Sequence, residues 1–327
     1  MRHARSLVRQ VCRIAGQPRW VDEVQSDAIA GGLVDAVADH NTAVIFDWLI
    51  REISRQGISD AVADGYIDRH GNVTWAEIEI SLATNPSCAK LEGYWAFTGC
   101  RYHKGFQTCA NPAQFPDCPV PRHRLRNGRL NQAAYSLFLF IRDIAGGDIV
   151  DWIDRQLADH PGNLPAARAA LVDPLRHVYG ISDKVIGMAL ASLLMGAGGI
   201  RPGWFAVGAS FVVVDTLVHN FLHRTGILNR LEADHPYGPV CYRPGGCADI
   251  LIGIASGIDA RRFNPEFPET FPRFIASAIW RYCAEPGLDI CNGNQIDDRG
   301  RCTNMWCQLH SRCDRVVLHA EPKTAEK

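Results

Sequence analysis

No apolar stretch of this 327-residue chain reaches the ~20 residues of a membrane-spanning helix; the longest, 185–200 and 135–141, stop short. The N-terminal MRHARSLVRQVCRIAGQ is positively charged but lacks an apolar stretch of signal-peptide length. Net charge is missing too. At −1 it weighs against the strongly basic domains that usually bind nucleic acid. Neither a run of strand-like alternation nor a repeat at fixed period is present. These absences exclude a helical membrane protein, a β-rich fold and a solenoid. They predict a soluble, cytoplasmic protein.

What is present suffices for a core: 47% hydrophobic residues against 21% charged. Apolar residues at helical spacing predict helices over 26–39, 43–53, 58–66, 131–145, 148–158, 165–178, 184–195, 216–224 and 272–283. Residues 74–82 fit helix or strand. Pro174 should kink its helix. Residues 85–127, with five prolines, and the glycine-rich 196–203 read as loops, and the tail around Pro322 as frayed.

Cysteine is abundant, with twelve in the chain. A reducing compartment disfavours disulfides, so clustered cysteines point to metal ligation. Cys88, Cys100, Cys109 and Cys118 form one set in the proline-rich loop; Cys283, Cys291, Cys302, Cys307 and Cys313 form another near the C-terminus. Four thiolates suit an iron–sulfur cluster or a structural zinc. Charge is uneven around both sets. Arg101, Lys104, Arg122, Arg124, Arg126 and Arg129 face one acid, Asp117, and four arginines between 299 and 315 face Asp314. Cys12 stands alone, and Cys241 and Cys247 receive no assignment. His219 and His223 sit one helical turn apart, but no third ligand is evident and they receive no role.

Two short stretches carry chemistry. The apolar run Phe211-Val212-Val213-Val214 ends on Asp215. That carboxylate can cap the following helix, act in a half-buried catalytic cleft, or do both. The stretch Val178-Tyr179-Gly180-Ile181-Ser182-Asp183-Lys184 joins two helices through a glycine turn. Backbone N–H groups at such a turn can grip a phosphate. The alternative is an ordinary turn with Ser182 or Asp183 as the N-cap.

In this order the two stretches resemble the hairpin L-P-G-V-G-x-K and the later V-D-T-H-V of the helix-hairpin-helix DNA glycosylases, the endonuclease III superfamily. The stretch FDWLIREISRQGIS, 46–59, is similar to that family's early helix. The resemblance covers 43–65 and 165–228, roughly a quarter of the chain. It departs at Ser182, which replaces the second hairpin glycine, and at Asp183, whose charge opposes a phosphate. The family's cluster pattern, C-x6-C-x2-C-x5-C, matches here only in its last spacing, Cys307-x5-Cys313.

The resemblance implies an all-α, two-lobed helix-hairpin-helix glycosylase fold with cysteine-rich metal-binding loops. Its expected divisions are N-terminal helices (1–45) packing with the C-terminal lobe, and a core (46–230) with a cysteine-rich insertion at 85–127. A C-terminal cluster region (231–317) and a tail (318–327) follow. It also implies a monomeric, nucleoid-associated enzyme that removes a damaged base from double-stranded DNA. Asp215 would stabilise charge on the sugar, and Lys184 would be the nucleophile of a bifunctional glycosylase/lyase. Gln56 would enter the duplex beside the extruded base. Gly180, Ser182, Arg122, Arg124 and Arg126 would meet DNA. A [4Fe–4S] cluster would be held by Cys302, Cys307 and Cys313 with Cys291 or Cys283. The residues alone add a second metal site, iron–sulfur or zinc, at Cys88, Cys100, Cys109 and Cys118. They also leave open a non-catalytic iron–sulfur protein that binds nucleic acid or senses redox state.

Overall fold

The computed structural model describes residues 1–56, 58, 60–84, 88–98, 100, 102–103, 108–109, 118–120, 125, 128–292 and 296–318, with the backbone alone at 60, 102, 103, 108, 109, 128 and 129. Among them the chain is all-α. The exception is a two-residue antiparallel ladder, Tyr102–His103 with Thr108–Cys109. The helices begin with α1 (Arg2–Ala15), α2 (Trp20–Ala30), α3 (Leu33–Ala38), α4 (Thr42–Ser54), α5 (Asp60–His70) and α6 (Trp75–Thr84). After the short α7 (Tyr94–Phe97) come α8 (Gly128–Asp143), α9 (Ile149–Ala158), α10 (Leu164–Leu175), α11 (Asp183–Gly196) and α12 (Pro202–Ala209). The last are α13 (Thr216–Arg224), α14 (Ile227–Arg230), α15 (Cys247–Ala255) and α16 (Pro272–Cys283). No described helix is long and apolar enough to cross a membrane.

The chain divides into two compact units, Val24–Val207 and a second made of Met1–Glu23 with Gly208–Lys327. In the first, α4 packs against α3, α6, α8 and α11. An aromatic cluster fixes its centre: Trp75 lies 4.2 Å from Phe138 and meets Phe46 edge-on at 5.5 Å, ring centre to ring centre. Helix starts follow cap chemistry. Asn41, Asp148 and Asn163 each accept a backbone N–H from the first turn of α4, α9 and α10, satisfying donors the helix itself cannot.

In the second unit α16 is the hub. It buries Phe274, Ile275, Ile279 and Tyr282, and packs against α1, α13 and α15. α1 presents Leu7, Val8, Val11 and Ala15 to it at helical spacing.

Three loop and helix expectations change. The helix expected over 26–39 is two, broken at Gly31–Gly32, where Gly32 takes a φ of +70° that side chains resist. The ambiguous 74–82 is helix α6. The expected glycine-rich loop at 196–203 is a 3-10 turn, Ala197–Gly199, followed by the start of α12 at Pro202.

Candidate functional site

Within the first unit, α10 ends at Leu175, with Arg176 as its C-cap, and α11 begins at Asp183, with Gly180 at φ +77° turning the chain between them. Pro174 sits in the last turn of α10, where losing one N–H interrupts little. The backbone N–H of Tyr179 donates to Ser136 Oγ at 2.9 Å, tying the turn to α8. Ser182 occupies the N-cap of α11 but makes no side-chain cap bond, and the residue is exposed. Asp183 is held by Arg176, Nε to Oδ1 at 2.6 Å. The hairpin and Gln56 line one open cleft of about 590 Å³, with Thr98, Arg176 and His177. Lys184, two residues into α11, is half-buried and outside that lining.

Within the second unit, Asp215 is the N-cap of α13, its Oδ1 accepting the Val218 N–H at 2.8 Å. Residues Phe211 to Val214 are buried yet belong to no helix or strand. Their polar backbone finds a side chain instead: the Tyr242 hydroxyl accepts from Val214 N at 2.8 Å and donates to Val214 O at 3.0 Å. Asp215 itself is half-buried, and three groups feel its charge. Burial raises the Tyr237 phenol, and Asp215 adds to the effect. Burial pushes Arg273 down to about 10 against the pull of Tyr242 and Asp215. Burial also drives Cys283 well up, Asp215 contributing.

The C-terminal thiols also converge in this unit. Cys291, Cys302, Cys307 and Cys313 line one small cavity with Arg224, Tyr282 and Arg315. Cys283 is not in that lining; its thiol, beside Cys291, holds the Cys291 thiol below its ordinary pKa. Burial raises Cys313 to about 11. Tyr282 Oη lies 3.1 Å from Cys307 Sγ. Arg224 is almost wholly buried and pairs with Asp298 through Nη2, while its Nη1 is buried without a hydrogen-bond partner. Arg315 Nε is likewise buried and unpartnered.

Of the first cysteine set, Cys88 is buried at the start of a 3-10 turn, and Cys100 Sγ lies 3.6 Å from Gln132 Nε2 on α8. Cys118 lies close enough to Tyr135 for its charge to act there. The side chain of Cys109 lies outside the described residues, as do Arg122, Arg124 and Arg126.

One group was not anticipated. His219, His235, Cys241 and Cys247 bring their ligand atoms within 4.8 Å of one another. His219 Nδ1 lies 3.3 Å from Cys247 Sγ and 3.5 Å from Cys241 Sγ, and His235 Nε2 lies 3.3 Å from Cys247 Sγ. This group can hold a metal ion. His219 therefore gains partners that its i+4 neighbour does not supply, and the two unassigned cysteines gain a place. Among the described residues no other three candidate ligands gather so closely. The signal was His235, Cys241 and Cys247 with five residues between each, but His219 lies sixteen positions before His235.

Compared with protein-family models, with curated proteins and with solved structures, the chain matches none. What stands on its own geometry is an all-α protein with a histidine–cysteine group fit for a metal.

Proposed function

We propose that the chain is a DNA glycosylase of the helix-hairpin-helix type, excising a damaged base from duplex DNA. The cleft shared by Gln56 and the Val178–Ser182 turn carries this reading. It joins the turn whose N–H groups would grip a phosphate to the side chain that would fill the gap left by the extruded base. The Arg176–Asp183 pair supports it further, because the acid that would repel a phosphate is already neutralised.

In the reaction the bond from the sugar C1′ to the base nitrogen breaks, and its electron pair leaves with the base. Positive charge develops on the sugar. Asp215, fixed by its cap bond behind a dry apolar run, would stabilise that charge by about 3 kcal/mol. Water then adds at C1′ and loses a proton. In a bifunctional enzyme the Lys184 amine adds instead. It must first lose its own proton, and the sugar ring opens to a Schiff base.

A [4Fe–4S] cluster fits Cys291, Cys302, Cys307 and Cys313. No three of these thiols close to the spacing a single ion needs, which favours a cluster over zinc. The buried, unpartnered N–H groups of Arg224 and Arg315 suit an anionic group there. Such a cluster would staple the segment 291–313 to α13 and α16; no chemical step passes through it.

A second reading has one observation in its favour: the Asp215 carboxylate already serves as a cap. On it the chain is a non-catalytic iron–sulfur protein that binds nucleic acid or senses redox state. Base-release assays over a panel of lesion duplexes decide. Release abolished by Asp215→Asn supports the enzyme; no release by the wild type from any lesion overturns it. Borohydride trapping of a covalent adduct, lost in Lys184→Ala, supports the lyase step.

A further inference from the structure

We propose that His219, His235, Cys241 and Cys247 bind one zinc ion, which fastens the 231–247 segment and the start of α15 to α13. The inference is independent of the glycosylase reading.

The spacing selects a single ion. Tetrahedral zinc, with Zn–N about 2.0 Å and Zn–S about 2.3 Å, holds nitrogen and sulfur ligands about 3.5 Å apart. The nitrogen–sulfur distances here are 3.3, 3.3 and 3.5 Å. A two-iron centre with two histidines and two cysteines would place the imidazoles on one iron and the thiolates on the other, separating them. Here imidazole and thiol interleave.

The surrounding bonds prepare the ligands. His235 Nδ1 lies 2.7 Å from the Ala233 carbonyl, a contact that requires an N–H, so the neutral ring turns a bare Nε2 towards Cys247. Two thiolates and two neutral imidazoles cancel the charge of a divalent ion. That balance suits a site where His219, Cys241 and Cys247 are buried. The loop is shaped for the purpose. Gly245 takes φ +78°, and a Cβ on Gly246 would press on the Cys241 carbonyl at 2.9 Å.

The fastened segment carries Tyr237 and Tyr242, one beside Asp215 and the other holding both backbone groups of Val214. Zinc would therefore set the wall around Asp215.

The full-length protein, expressed with zinc present, should carry one zinc per chain by elemental analysis, in addition to any iron. Cys241→Ser with Cys247→Ser should lose the zinc and keep the iron. Because that variant could fail to fold, the wild type stripped with a chelator is titrated with Co²⁺, expecting the intense visible bands of tetrahedral thiolate-bound cobalt, bleached by added Zn²⁺. Wild-type protein that contains no zinc and gives no such bands overturns the site. So does zinc retained in full by the double variant. Hydrogen exchange tests the fastening: zinc removal should speed exchange at the Val214 amide, and unchanged protection there overturns the positioning role.

Discussion

Arg176 holds Asp183 across the hairpin, Nε to Oδ1 at 2.6 Å, while its Nη1 reaches Asp173 at 2.5 Å. One cation thus serves two acids beside the proposed phosphate grip. Asp183→Asn leaves that cation paired with Asp173 alone and removes one negative charge beside the cleft. DNA binding should tighten, and the slope of log affinity against log salt should steepen by about one. Fluorescence anisotropy over a salt series measures both; an unchanged slope would show that Arg176 does not meet DNA.

Asp215 caps α13, and substitutions can separate that role from the catalytic one proposed for it. Asparagine caps a helix about as well as aspartate, so Asp215→Asn should leave stability nearly unchanged while base release falls about 10²–10³-fold. Asp215→Ala should lose release and also about 1 kcal/mol of stability, read from denaturant midpoints. Equal destabilisation by both would mean the charge matters to folding more than to chemistry.

For the proposed cluster, Cys291, which lines the cavity with Cys302, Cys307 and Cys313, is the expected fourth ligand rather than Cys283. The visible absorption and iron expected of the proposed cluster, in protein purified without air, should be lost in Cys291→Ser. Cys283→Ser should keep both. The reverse result would redraw the ligand set.

Asp148 offers a test by pH. Burial works against its charge but is outweighed by hydrogen bonds from the Asp151 N–H, His40 and the Val150 N–H, so its carboxyl sits below the ordinary value. A depressed carboxyl stabilises the fold above its unfolded pKa of about 3.9, and that stabilisation is lost as pH falls through the lower folded value. Asp148→Asn keeps the cap without the charge. Thermal midpoints of this variant should fall less steeply below about pH 4 than those of the wild type.

Gly180 at φ +77° should resist a side chain. Gly180→Ala is expected to cost about 1–2 kcal/mol and to loosen the turn, with weaker DNA binding at every salt concentration. Calorimetry and anisotropy on the same preparation check it.

The all-α class was legible because apolar spacing and cap chemistry agree. Thr216–Arg224 and Pro272–Cys283 follow an Asp and begin at a Pro, and both ends match the sequence reading. The break at Gly32 and the helix starting at Pro202 were hidden, since paired glycines mark a turn without saying where helix resumes. The convergence of Cys291, Cys302, Cys307 and Cys313 was foreshadowed by their clustering. The histidine–cysteine group was not. Its members come from α13, a loop, the 3-10 turn Pro239–Tyr242 and the start of α15, and only folding brings them together. Burial of Arg224 was equally hidden, because its partner Asp298 lies far along the chain.

The bond pair between Tyr242 and Val214 has a consequence for solubility. Val212, Val213 and Val214 have the composition of segments that recruit strands from neighbouring molecules into aggregates. A single phenol occupies both backbone groups of the last valine, denying an incoming chain its first rung. Tyr242→Phe would leave that rung open, and the chain would then be vulnerable to self-association during every transient opening of the segment.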